Sequence, residues 1–412
     1  MPTLTPATPG ALRKSDVREA NERLVLNIIR QTPEISRAGI VRTTGFSPST
    51  VTFIVNRMMR DELVYEVESQ GPPQVGRRPV ALRLRPEAKI VVGVEISPHQ
   101  ARIVTADLDG NILARRVAHR QADHHLFLAR IRSAIQTLTE GISGGRLLGI
   151  GVSLPGTIDR ATGRVIAAEN LGWFDVEAGR ILSEGVAANF YFENDAKLGA
   201  LAERWFCEPG SKPLENFVFV LMRQGLGTGV MIEGRLFHGA SGEASEFGHT
   251  SLYADGLRCV CGNIGCWEEY ASERALERLY TEQRGNDNGA GRQGAAEILR
   301  IARNGDPFAL AALREMARSV GIGFANLDAA FNPEAIVISG YLATGWDLVE
   351  EWVWEALRSR APRRHIGNLR IIPARHGADS QLMGAVALAL DRFFTQPGDG
   401  NGNGAPPRSV QA

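Results

Sequence analysis

Three cysteines and a histidine fall within eighteen residues of this chain. His249 closes the segment Glu246-Phe-Gly-His249, and ten residues on the run Cys259-Val-Cys261-Gly-Asn-Ile-Gly-Cys266-Trp-Glu268 begins. Thiolate sulfur and imidazole nitrogen suit borderline-soft Zn²⁺, which takes four such ligands tetrahedrally and keeps no open position unless it does chemistry. Gly262 and Gly265 let the backbone fold back so that Cys261 and Cys266 can reach one ion. The expectation is a structural zinc site made of His249, Cys259, Cys261 and Cys266. A disulfide or unrelated buried thiols is the weaker reading, since the spacing is close and reducing compartments rarely keep disulfides.

A second polar group follows the apolar run Phe190 to Glu193. Asn194 and Asp195 stand at the end of that strand-like segment, where an open α/β sheet presents side chains to its cleft. Taken alone the pair has a plainer role, with Asp195 capping a helix over Ala196 to Trp205. Glu268 likewise has a plainer reading as a surface carboxylate in the first turn of the helix after the cysteine run.

The third chemical surface is near the N-terminus. Residues 1 to 90 hold 14 Lys+Arg against 9 Asp+Glu, while the whole chain of 412 residues is neutral, so a basic head precedes an acidic body. That asymmetry suits a DNA-binding module joined to a separate domain. Asp16-Val-Arg-Glu19 reads as a capping box opening a helix, a short helix runs from Ser36 to Gly45, and Ser47-Pro48 opens a third. On the third, Val51, Ile54, Val55 and Met58 share one side. The other side presents Ser49, Phe53, Asn56 and Arg60, with Thr52 and Arg57 flanking, types suited to base edges, thymine methyls and phosphates. Ser47 and Thr50 at the helix start join Ser49, Thr52, Phe53, Asn56 and Arg57 as the candidate DNA contacts.

Strands over Leu63 to Glu68 and Val80 to Arg85 complete a winged helix-turn-helix, with Arg77 and Arg78 at the base of the wing. The recognition helix lacks basic residues in its first two turns, so the two wing arginines are expected to enter an adjacent A·T-rich minor groove. A small helical protein-interaction domain is the alternative.

These sites need elements to hold them. At 44% hydrophobic and 22% charged residues the composition is that of a soluble chain, and its length implies two or three domains. There is no apolar run long enough to span a bilayer and no secretory leader pattern, so the expectation is a cytoplasmic protein with no membrane partner. From Ile90 the pattern alternates: strands over Ile90 to Ile96, Ala101 to Leu108 and Asn111 to Val117, a helix over 123 to 142, then the strand Leu147 to Leu154. Near Asn216 the device recurs, with Phe217 to Met222, a glycine-rich turn, and Gly229 to Glu233. Two such halves imply a duplicated α/β fold with a cleft between lobes.

Taken together, Gly76-Arg-Arg-Pro79, Gly151-Val-Ser-Leu-Pro-Gly156, Glu193-Asn194-Asp195-Ala196, Glu246-Phe-Gly-His249 and the cysteine run resemble the ROK family from about residue 15 to 395. That family groups sugar-responsive bacterial transcription factors with sugar kinases on a two-lobed actin-like, ribonuclease-H-like fold. The resemblance implies a winged helix-turn-helix over 13–86, a first α/β lobe over 88–205 completed by a C-terminal helix at 379–395, and a second lobe with the zinc site over 206–378. The stretch 396–412, rich in Pro, Gly and Asn and without apolar periodicity, is expected to be a disordered tail. It places Asn194, Asp195, Glu246, His249 and Glu268 on a sugar, with Asp195 at the position of the kinases' general base. His249 then binds zinc through one ring nitrogen and sugar through the other.

The nucleotide loops depart from the kinase pattern. Glu95-Ile-Ser97-Pro98-His99 stands where the family's kinases have an Asp-x-Gly-Gly-Thr type loop, and Arg223-Gln224 replaces the leading pair of the second phosphate loop. Ser339-Gly340 replaces an adenosine-binding Gly-Gly. Proline removes a donor and a histidine adds bulk where phosphates would sit. The expectation is therefore a sugar-responsive regulator, a repressor that leaves double-stranded operator DNA when sugar binds and acts as a homodimer or homotetramer, with Asp195 a vestigial base. The rival readings are an active ATP-dependent sugar kinase with an accessory head, and a protein-docking platform.

Overall fold

The computed structural model describes residues 14–68, 80–208, 211–285, 293–360 and 367–395. The chain divides into two units, Met1–Lys89 with Leu390–Ala412, and Ile90–Ala389.

In the first unit the helices Lys14–Gln31, Arg37–Thr44 and Pro48–Arg60 form in the expected order. Ser36 caps the second through the Gly39 N–H and Ser47 caps the third through the Thr50 N–H, so each helix start is fixed by a side chain that accepts an otherwise unpaired donor. Gly45 takes φ 71° between them, a left-handed conformation that a Cβ disfavours. Val25, Ile29, Ile40, Val51, Ile54 and Val55 meet in the core. A three-stranded sheet, Ile35–Ser36, Val80–Leu84 and Val64–Glu68 in that spatial order, closes the unit. Arg23 donates to the carbonyls of Arg392 and Phe393, and Arg30 lies over the Phe394 ring, so the chain's last helical turns pack into this unit.

The second unit contains two five-stranded sheets. The first runs Phe190–Asn194, Leu147–Leu154, Ile90–Ile96, Gln100–Ala106, Ile112–His119; the second runs Arg370–Pro373, Ala335–Gly340, Phe217–Met222, Leu226–Ile232, Arg235–Leu236. Each has a parallel half and an antiparallel hairpin half in matching order, which is the duplication that the recurring hairpin signals. Central strands such as Ile90–Ile96 and Phe217–Met222 are buried on both faces, and they read as continuous apolar runs for that reason. Helices cover the sheets, and approach closely where glycine allows: a Cβ on Gly151 would sit 1.9 Å from the Ala385 carbonyl oxygen of the C-terminal helix Ser380–Thr395.

Among the differences from the sequence reading, the first helix already runs from Lys14, ahead of the Asp16 expected to cap it. The strand expected from Gly229 begins at Leu226, because Leu226 to Gly229 pair with Met222 to Phe219 and only Arg223 to Gly225 remain to turn. A small sheet of Thr157–Asp159, Arg164–Ala168 and Trp173–Val176 went unread, since strands of three to five residues between turns carry too few alternations to register.

Candidate functional site

The parallel strands of both sheets end at a common cleft, a cavity of about 680 Å³ lined by residues that follow or close those strands: Glu95 to His99, Pro155 and Gly156, Asn194 and Asp195, Arg223 to Gly227, and Gly340 and Tyr341. Carboxyl ends of strands leave backbone and short loops to face the opening, which is why chemistry collects there. Asn194, Asp195, Glu246, His249 and Glu268, the five residues expected on a sugar, all line this one cavity.

Asn194 rather than Asp195 is the formal helix cap. Its Oδ1 accepts from the N–H groups of Ala196 and Lys197, and its Nδ2 donates to the Gly156 carbonyl at 3.1 Å, tying the strand end to the opposite loop. Asp195 Oδ1 accepts from the Ala196 N–H at 2.8 Å and leaves its second oxygen to the cleft. Burial pushes its carboxyl up to about 6, against the pull of Arg223 and the Ala196 N–H, while Glu95 and Glu246 add to the rise. Glu246 is accessible from the cleft yet hemmed in by protein, and that partial desolvation raises it, with Lys197 and His249 opposing. Ser245 before it takes φ 77°, a strained conformation for a residue with a Cβ, and its carbonyl accepts from Thr228 Oγ1, which fixes where Glu246 leaves the backbone.

A buried polar cluster holds the loop that carries Glu246. Glu193 accepts from His238 Nε2 at 2.8 Å and pairs with Arg160 at 2.6 Å, and buried Lys197 donates to the Gly242 carbonyl at 2.6 Å. Neither this cluster nor its partners stood out in the sequence, because Arg160 and His238 lie 33 and 45 positions from Glu193 in chain segments without a motif.

The cysteine cluster borders the same cavity. Cys261 Sγ lies 3.7 Å from Cys266 Sγ, Cys259 Sγ lies 3.8 Å from His249 Nδ1, and all four ligand atoms fall within 4.8 Å of one another. Tetrahedral ligands about 2.3 Å from one ion are separated by about 3.8 Å, so the four donors fit a single metal. With Nδ1 turned to the cysteines, His249 keeps Nε2 for other partners. Glu268, 5% exposed, accepts from the Cys259 thiol at 3.0 Å and from the Leu226 N–H at 3.4 Å. It therefore joins the cysteine cluster to the turn of the second sheet. A further triad, Cys259, Glu268 and Glu269, also has ligand spacing, but its carboxylates are the harder donors. Trp173 is buried in the core of the first lobe, while Asn170 of the same loop reaches the cavity. Cys207 is half-buried and apart from the cluster.

Across the cleft floor runs an ion web that the sequence did not disclose. Glu95, 3% exposed, pairs with Arg102 and with Arg223 Nη1 at 3.2 Å; Arg223 Nη2 donates to Gln381 Oε1 at 2.7 Å, and Arg102 also pairs with Asp379. Both loop departures noted in the sequence, Glu95 and Arg223, are thus partners of each other.

On the head, Ser47, Ser49, Thr52, Phe53 and Asn56 are exposed, with Phe53 half open and Arg18 over its ring at 4.8 Å. Thr50 is half-buried through its bonds to Ser47. Arg57 pairs with Glu22 at 2.8 Å, and Asn56 accepts from Arg37 at 3.0 Å. Arg42, exposed at the end of the second helix, is a cation on this unit that periodicity did not single out. Arg77 and Arg78 lie outside the described residues, as does the tail from Gln396.

Comparison with known proteins gives a concordant picture. The ROK family profile matches residues 91–392, and a winged helix-turn-helix DNA-binding profile matches residues 18–65. The xylose repressor of Bacillus subtilis (strain 168) is 29% identical over 384 residues, covering 92% of this chain and 97% of that protein. A glucokinase of Streptomyces coelicolor is 32% identical over 320 residues, covering 73% of this chain and 98% of the enzyme. Among solved structures, a ROK family transcriptional regulator described as a homologue of the E. coli MLC protein superposes with a TM-score of 0.80 at 23% identity, over 92% of this chain and 97% of that one.

Proposed function

The chain belongs to the ROK family, and from that premise we propose that it is a sugar-responsive transcriptional repressor whose winged head holds operator DNA until a carbohydrate occupies the cleft. The observation that carries this reading is coverage: a repressor aligns over 92% of the chain, more than the body alone can hold, whereas the glucokinase aligns over 73%. Sugar release of DNA then follows from linkage. A sugar that favours the body's non-binding state weakens DNA binding by the factor by which DNA weakens sugar binding.

In this reading Asp195, Asn194, Glu246, Glu268 and His249 Nε2 accept from or donate to sugar hydroxyls. Zn²⁺ is held by His249, Cys259, Cys261 and Cys266, where it supplies structure by fixing the orientation of His249 and the neighbouring loop. The body is not an enzyme, a reading supported by Arg223 and Glu95 pairing where the fold's kinases present small residues to phosphates. The head reads DNA through Ser47, Ser49, Thr50, Thr52, Phe53, Asn56 and Arg57, with Arg77 and Arg78 at the wing. Two-fold operators call for a homodimer or homotetramer, and work on DNA calls for the cytoplasm. Among the described residues no helix is long and apolar enough to cross a membrane.

The test is binding of the full chain to DNA selected from a random pool, followed by anisotropy with and without sugars. Release by one sugar, indifferent to ATP, is the expected result. Absence of any selected DNA sequence, or ATP-dependent sugar phosphorylation above about one turnover per second, the low end for working enzymes, would refute it.

A further inference from the structure

We propose that the cleft takes an uncharged, unphosphorylated monosaccharide and rejects its phosphate esters. This rests on the sugar-binding reading above and names the ligand's class. The described lining carries seven carboxylates against two guanidiniums and no lysine. Arg223 is engaged by Glu95 and Gln381, and Arg274, in the same lining, stands 3.9 Å from the Glu268 carboxylate.

Several backbone donors of the two loops are engaged as well. The Ser97 N–H bonds the Gln100 carbonyl at 2.9 Å, Pro98 has none, the Arg223 N–H bonds the Gly225 carbonyl at 3.0 Å, and the Leu226 N–H faces Glu268. Phosphate recognition favours a bidentate guanidinium or a nest of successive free N–H groups, and the Ser97, Arg223 and Leu226 donors are already committed.

The position matters as much as the count. A sugar hydroxyl accepted by Asp195 sits in the field of Glu95, Glu246 and Arg223, the groups whose charges act on that carboxyl. Esterifying it puts a dianion beside those carboxylates, with the one nearby cation already neutralised by Glu95. Hydroxyl groups, by contrast, are donors, and an acceptor-rich floor is complementary to them.

The experiment compares matched pairs on the full chain by thermal shift and by DNA release: glucose with glucose 6-phosphate, N-acetylglucosamine with its 6-phosphate, and xylose with xylose 5-phosphate. The expected result is that at least one free sugar acts and that its ester needs about 100-fold higher concentration, a penalty in keeping with like charges in a partly desolvated cleft. An ester equal to or better than its free sugar overturns this inference and leaves the sugar-binding reading standing. If no member of any pair binds, the sugar-binding reading fails and takes the inference with it. The Glu95→Gln variant, which releases Arg223, should narrow the gap about tenfold, and an unchanged gap would refute charge as its cause.

Discussion

Replacing Asp195 by Asn should make the protein more stable and blind to sugar at once. The carboxyl is raised from 3.8 to about 6, chiefly by burial. A raised carboxylate pKa means that the folded state holds the proton longer than the unfolded one. Stability is then fully retained below pH ~4, falls as pH climbs to ~6, and is level above that. A shift of about two units corresponds to about 3 kcal/mol, and because the side chain keeps some contact with water at the cleft floor, about 1–2 kcal/mol is the reasonable effect. Asn retains an oxygen for the Ala196 N–H, so the substitution removes the charge and little else. Calorimetry of D195N beside the parent from pH 4 to 8 should show no difference at pH 4. At pH 7.5 the midpoint should rise by about 2–6 °C, with sugar response lost. A variant that is destabilised at pH 7.5, or stabilised equally at every pH, would refute the assignment of strain to this carboxylate.

Two further outcomes are expected. Cys259→Ser with Cys261→Ser, or chelation, should lower the body's melting midpoint by several degrees and abolish release of DNA by sugar. Operator anisotropy measures it, and a double variant that still releases DNA would contradict a metal role in coupling. Arg77→Ala with Arg78→Ala should weaken operator binding and reduce the slope of log K against log salt by about two, as counting ion release predicts. An unchanged slope would remove both arginines from the DNA interface.

Those elements that bury one face or both were readable in the residues. The run Leu147–Leu154 is a strand at its expected limits, and Ser47-Pro48 marks the recognition helix to the residue, because a cap and a fixed φ are local chemistry. The cleft set was readable for a different reason: Asn194, Asp195, Glu246, His249 and Glu268 lie in short motifs. The Glu95–Arg102–Asp379 web was not, since Arg102 and its partner Asp379 are 277 positions apart and an arginine on an alternating strand looks the same whether it meets solvent or a buried carboxylate. The resemblance exposed Arg223 only as a departure; its meaning as a counter-ion required three dimensions.

That web also bears on how such a body can change over generations. Losing Arg223 leaves the Glu95 carboxylate, sealed from water, with Arg102 as its guanidinium partner; losing Glu95 first leaves two cations facing one gap. Unpairing a buried charge costs up to about 3–5 kcal/mol, a large share of what keeps a domain folded. A path toward a glycine-rich phosphate loop therefore depends on order: losing Arg223 first leaves Glu95 paired with Arg102, whereas losing Glu95 first strands the Arg223 guanidinium and meets part of that penalty. The fold itself thus favours one order of substitution over the other.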